Sequence, residues 1–161
     1  MKIDFTEFWD SNYYNNPDLT DEIIIQAERQ LGVKLPEIFI KLLKVQNGGY
    51  TKGFAFPMRT KTTWADNHIP LSELFGIVLD EKSDSAHNIM QSSYMIEEWG
   101  LPDKQVLLTG DGHWWITLDY RLSDKPTIRW IDCECDEDIH VANSFEEFYN
   151  RLVSEDEFAE Q

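Results

Sequence analysis

Apolar residues between positions 20 and 50 fall at helical spacing. Ile24, Ala27 and Leu31 recur three and four residues apart and form one stripe. Thr20 precedes them as an N-cap, and Asp21 and Glu22 fill the first turn, where the helix dipole favours negative charge. Gly32 is placed to stop this helix. A second helix opens at Leu35-Pro36, because proline at the first helical position gives up no needed N–H. Phe39, Leu42 and Leu43 supply its buried face, and Asn47-Gly48-Gly49 ends it. Ahead of both, Phe5, Phe8, Trp9, Tyr13 and Tyr14 predict a short helix followed by an aromatic loop laid on the body.

The middle of the chain is less regular. Residues 53–58 predict a short strand. Residues 68–78, with Pro70 and Gly76, predict irregular backbone with a short helical turn. Residues 86–99 predict a helix through Ile89, Met90, Tyr94 and Ile96. The period then changes to two. Residues 105–109 form an apolar strand, Gly110-Asp111-Gly112 a turn, and residues 113–120 alternate with Trp114, Ile116, Leu118 and Tyr120 on one face. Residues 127–135 alternate as well, joined to the previous strand by 121–126 as a hairpin. Ser144 and Glu147 form a capping box for a last helix whose stripe is Phe145, Phe148, Tyr149 and Leu152. Residues 155–161 read as a frayed acidic tail.

Opposed residues of an antiparallel pair share a face. With Tyr120 opposite Thr127, Ile116 meets Ile131 and Trp114 meets Cys133, which collects an apolar face. The other face then carries Trp115, Thr117, Asp119, Ile128, Trp130, Asp132 and Glu134. It is half aromatic and half acidic, so it either lies under a helix or receives a partner.

Composition adds limits. The 161 residues show no repeat and no Gly/Ser/Pro linker, so a single domain over 1–161 is expected, with the acidic tail at 154–161. Hydrophobic residues at 42% suffice for a core without staples. No run of about 18 apolar residues exists, so no membrane span is expected. The sequence Met1-Lys2-Ile3-Asp4-Phe5 has no secretory pattern, and Cys133-x-Cys135 gives no disulfide framework, so a cytoplasmic location is expected. The net charge is −16, and its distribution is uneven: residues 132–161 hold 11 acids against one base, Arg151. Such a field repels nucleic acid and anionic membranes and attracts basic partners. Acidity also serves solubility alone, and composition does not separate the two.

Candidate chemistry is sparse. Cys133-x-Cys135 with His140 has too short a gap for a zinc knuckle, and two buried free cysteines are the expectation. The run Asp132, Glu134, Asp136, Glu137 and Asp138 lacks the glycine and the terminal glutamate spacing of a calcium loop. It reads as a solvated edge or as a docking patch. His113 and Asp119 lie about 20 Å apart at roughly 3.3 Å per strand residue, so with Asp111 they do not converge on one bond. Ser83, Ser85 and His87 lie close in sequence without a nucleophile elbow around them, and no phosphate-binding glycine loop is present. Trp64 and His68 are placed in a loop, packed on the core or anchoring an interface.

Leu19-Thr20-Asp21-Glu22-Ile23, Ala27-Glu28, Leu31-Gly32-Val33-Lys34-Leu35-Pro36, Leu42-Leu43 and Gln46-Asn47-Gly48-Gly49 resemble the N-terminal signature of the SUKH superfamily. That group includes the Syd protein, fungal Smi/Knr cell-wall regulators and bacterial immunity proteins. Ile69-Pro70-Leu71, Leu74-Phe75-Gly76, Glu98-Trp99-Gly100-Leu101-Pro102, Gly110-Asp111-Gly112-His113, Leu118-Asp119-Tyr120 and Ala142-Asn143-Ser144-Phe145-Glu146-Glu147-Phe148 follow in order, over about 17–153. The resemblance implies an α+β fold with a central, mainly antiparallel β-sheet and helices packed around it. It implies a non-enzymatic, protein-binding role without cofactor or metal. The expected function is an immunity protein that neutralises a cognate toxin with a basic surface, such as a nuclease. The alternative is a regulatory scaffold that binds an endogenous protein. The surface expected to bind is Trp115 and Trp130 with Asp132, Glu134, Asp136, Glu137 and Asp138.

Overall fold

The computed structural model describes residues 3–79 and 87–159. The N-terminal segment is not the expected helix. Asp4 accepts hydrogen bonds from both the backbone N–H and the hydroxyl of Thr6, which favours a local turn over a helical ladder. Phe8 and Trp9 then bury themselves against the body. Trp9 bridges to Thr51 and donates its indole N–H to the carbonyl of Leu42 at 3.0 Å.

Helix α1 (Asp21–Leu31) is capped as expected: the Thr20 hydroxyl accepts from the Ile23 N–H, and Gly32 ends the helix at φ +75°. Helix α2 (Glu37–Val45) starts one residue later than expected, with Pro36 as its cap. Beyond it, Asn47 turns inward and is buried. Its amide donates to the carbonyls of Pro17 and Ile77 at 2.8 and 2.9 Å, and its oxygen accepts from the Ile77 N–H at 2.8 Å. Gly48, at φ +89°, lies against the backbone of Gly76. These glycines therefore mark a close crossing of two chain segments as well as a helix end.

Strand β1 (Gly49–Pro57) is longer than expected and pairs antiparallel with β2 (His68–Leu74), where irregular backbone was anticipated. Pro70 obscured this strand. It is tolerated because β2 is an outer strand of its sheet, paired among the described residues with β1 alone. The expected helix over 86–99 is a 3-10 turn, Ile89–Gln91, running into α3 (Ser92–Trp99); residue 86 lies outside the described residues.

The second sheet, β3 (Gln105–Gly110), β4 (Trp114–Asp119), β5 (Thr127–Asp132) and β6 (Glu137–Ala142), is an antiparallel meander in sequence order. The two sheets touch where the Phe75 N–H donates to the Leu108 carbonyl at 2.8 Å. Helix α4 (Phe145–Asn150) is capped by Ser144, and the Glu147 carboxylate returns to the Asn143 N–H. The tail is not frayed over its described part. β7 (Val153–Ser154) joins β1, and a 3-10 turn stacks Phe158 on His68 at 4.2 Å. Two antiparallel sheets and four α-helices among the described residues make the fold α+β, consistent with the resemblance.

Two sequence expectations are corrected in this sheet. The β4–β5 register is shifted by one: Asp119 opposes Thr127, Ile116 opposes Trp130 and Trp114 opposes Asp132. Both faces of β4 are buried, so apolar alternation had no wet face to anchor it. The strand expected to run to residue 135 stops at Asp132, whose carboxylate accepts from the N–H groups of Glu134 and Cys135. Asp136 at φ +57° completes the turn into β6. Cys133 and Cys135 are therefore turn residues, half-buried and exposed, and not core thiols.

Candidate protein-binding face

The loop between β1 and β2 is tied to the β5–β6 hairpin by two carboxylates. Asp132, only 5% exposed, accepts from the Thr63 hydroxyl at 2.6 Å while its other oxygen holds the turn. Glu137 accepts from the Thr63 N–H at 2.8 Å and from the Trp130 indole at 3.0 Å. The loop closes on itself through Thr62, whose N–H donates to the Ala65 carbonyl and whose hydroxyl accepts from Trp64. This clamp builds a three-indole ladder. Trp130 is fully buried, Trp114 stacks on it at 4.8 Å, and Trp64 meets Trp114 edge-on at 5.7 Å while staying 48% exposed. The Trp114 indole N–H is buried without a hydrogen-bond partner.

The seven residues expected to bind do not share one surface. Trp115, 3% exposed, lies on the opposite face of β4 beside Trp99. Trp130 and Asp132 are buried and hold the ladder and the turn. Asp138 sits between Arg129 and Arg121, at 2.8 and 2.9 Å, so its charge is compensated. Glu137 is half-buried in the clamp. Glu134 and Asp136 project from the turn into solvent. Glu134 pairs with His113 at 2.9 Å and, through that hydrogen bond and its charge, raises the imidazole pKa above its ordinary value. Asp111 lies exposed in the neighbouring turn, its carboxylate accepting from the N–H groups of His113 and Trp114. The structure thus places a half-exposed tryptophan on an aromatic base, its loop tied through Asp132 to the turn that carries Glu134 and Asp136, with Asp111 in the turn ahead of Trp114. Sequence reading had separated Trp64 from the acidic run. Its one signal was a large aromatic among Thr62, Thr63 and Asp66.

The reverse face of this sheet carries a buried polar chain. Thr117 donates to Gln105 at 2.6 Å, and Gln105 donates to Asp119 at 2.8 Å. The Asp119 carboxylate also receives the Arg121 backbone N–H and guanidinium. Burial would raise its pKa, but the Arg121 and Gln105 hydrogen bonds with the Arg121 charge outweigh that and hold it below the usual carboxylate value. Each polar atom here is spent on a neighbour in the fold. Among the described residues no group of three His, Cys, Asp or Glu is placed to hold a metal, and no helix is long and apolar enough to cross a membrane.

Against curated proteins the chain has no match. Against family models, residues 18–151 match the SMI1 / KNR4 family (SUKH-1). The matched span runs from the approach to α1 through the Asn47–Gly76 crossing to the end of α4, covering both sheets apart from β7. The chain belongs to the SMI1/KNR4 family, SUKH-1.

Proposed function

We propose that this chain is an immunity protein that binds and blocks a cognate toxin, with the Trp64 ladder as anchor and the acidic turn as its rim. Family membership supports a binding domain of the immunity or Smi1/Knr4 type. The observation that carries the reading to this face is Trp64, held half-exposed on Trp114 by the Thr63 clamp beside Glu134 and Asp136. A rigid exposed tryptophan costs little entropy to dock, and tryptophans dominate interface energetics. The surrounding charge fits a basic toxin surface, such as the substrate groove of a nuclease. Binding alone blocks the toxin, and the protein does no chemistry.

The test is the affinity for the toxin domain encoded beside this gene. Trp64→Ala weakens it by about thirtyfold, the cost of losing roughly 2 kcal/mol at a hot spot. Glu134→Lys with Asp136→Lys weakens it further. The charge reversals leave the melting temperature nearly unchanged, because both side chains are exposed, while Trp64→Ala lowers it slightly through the lost contact with Trp114. Unchanged affinity in both would remove this face from the interface.

A further inference from the structure

Strand β6 is the last strand of its sheet, and among the described residues no strand pairs with its outer side. Edge strands are usually defended by charged side chains, lysine above all, by proline, bulges or shortness. β6 is as long as β5 and has no lysine or proline, and its charges, Glu137 and Asp138, are acidic and so admit a basic strand. A register irregularity lies at its far end, yet Glu137, Asp138, Ile139 and His140 pair in unbroken succession with β5. Four consecutive residues of regular strand therefore lie on an edge with no strand beyond it among the described residues, the Asp138 carbonyl accepting from the Arg129 guanidinium at 2.8 Å.

Beside that edge runs a groove of about 380 Å³. His140 and Val141 form one wall, Met58 and Arg59 the other, and Phe56 lines it as well. Arg151 lies over the Phe56 ring and pairs with Glu147, so the ring is covered and this end combines the half-buried Met58 with the exposed Arg59. The opposite end of the edge opens on Glu134, Asp136 and Glu137.

We infer that β6 receives an extended segment of the toxin, which adds to the sheet as a further strand. This rests on the toxin-binding reading above and specifies how the partner is held. The segment has a lysine or arginine at the end beside Glu134 and Asp136 and an apolar side chain against Met58. Main-chain hydrogen bonds to the edge supply affinity, and these two ends supply register. The occupant is a basic partner and not a second copy, because a pair of these chains would bring together two net charges of −16.

The experiment combines amide hydrogen exchange of the complex with two proline variants. Neighbouring residues of a strand send their N–H groups to opposite sides. Of Ile139→Pro and His140→Pro, one therefore removes a bond to β5, and the other removes only an open-side donor. The variant that keeps the parent melting temperature loses about a hundredfold in toxin affinity. In the parent complex, the open-side amides of 137–140 exchange at least about tenfold more slowly than in the free chain. Should both prolines destabilise the fold, the exchange measurement decides alone. A complex that leaves β6 exchange unchanged overturns this inference and spares the toxin reading, as does β6 protection that arises by self-association without toxin. Absence of any complex overturns both.

Discussion

Gly76 shows how little room the fold leaves at single positions. A Cβ there would lie 2.2 Å from the Asn47 carbonyl oxygen, a backbone atom that cannot swing aside. Gly76→Ala is expected to lower stability by about 1–3 kcal/mol, the usual cost of overpacking. Denaturant unfolding checks this, and an unchanged midpoint would contradict the crossing as described. Asn47→Ala is expected to cost more, since it strands the buried Ile77 N–H and two carbonyls at about 1–3 kcal/mol for each unsatisfied group. The sequence marked these residues as helix punctuation, which they are. Their larger role was hidden, because Asn47 and Gly76 meet across 29 positions and single-chain spacing carries no trace of that. Trp64 was illegible in the same way: its value comes from Trp114 and Asp132, far along the chain.

At the scale of elements, caps were legible and sheet pairing was not. Thr20, Gly32 and Ser144 act through neighbours within a few residues, so their chemistry can be read locally. The β4–β5 register depends on which face is wet, and neither is. β6 was missed because Asp132, Glu134, Asp136, Glu137 and Asp138 read as one acidic run. The turn inside it appears only when Asp132 is seen to accept from the backbone of Glu134 and Cys135. The polar chain across the reverse face yields a pH prediction. The Asp119 carboxyl is held below its unfolded value of about 3.9, so its stabilisation is complete above that pH and is lost as pH falls through the folded value. Asp119→Asn is therefore expected to lower the melting temperature at neutral pH and to flatten its fall on acidification. A variant with the parent's acid limb would show that Asp119 is not held by Arg121 and Gln105.

For the whole molecule, the sequence located the excess charge but not how the fold uses it. Ten of the sixteen net negative charges lie beyond residue 131, but the fold spends much of this charge internally. Asp132 holds a turn, Glu137 clamps a loop, and Asp138 is shared by two arginines. What remains for a partner is the turn with Glu134 and Asp136, next to Trp64 and the open β6 edge. Charge of this kind acts mainly on encounter, through a field screened over about 10 Å at 0.1 M salt. The most direct test is the association rate of the toxin domain with this chain at rising ionic strength, for the parent and for Glu134→Lys with Asp136→Lys. The parent rate is expected to fall steeply with salt, and the variant is expected to start lower with a shallower slope. A parent rate independent of salt, or a variant with the parent's slope, would contradict an acidic turn that guides a basic toxin to Trp64.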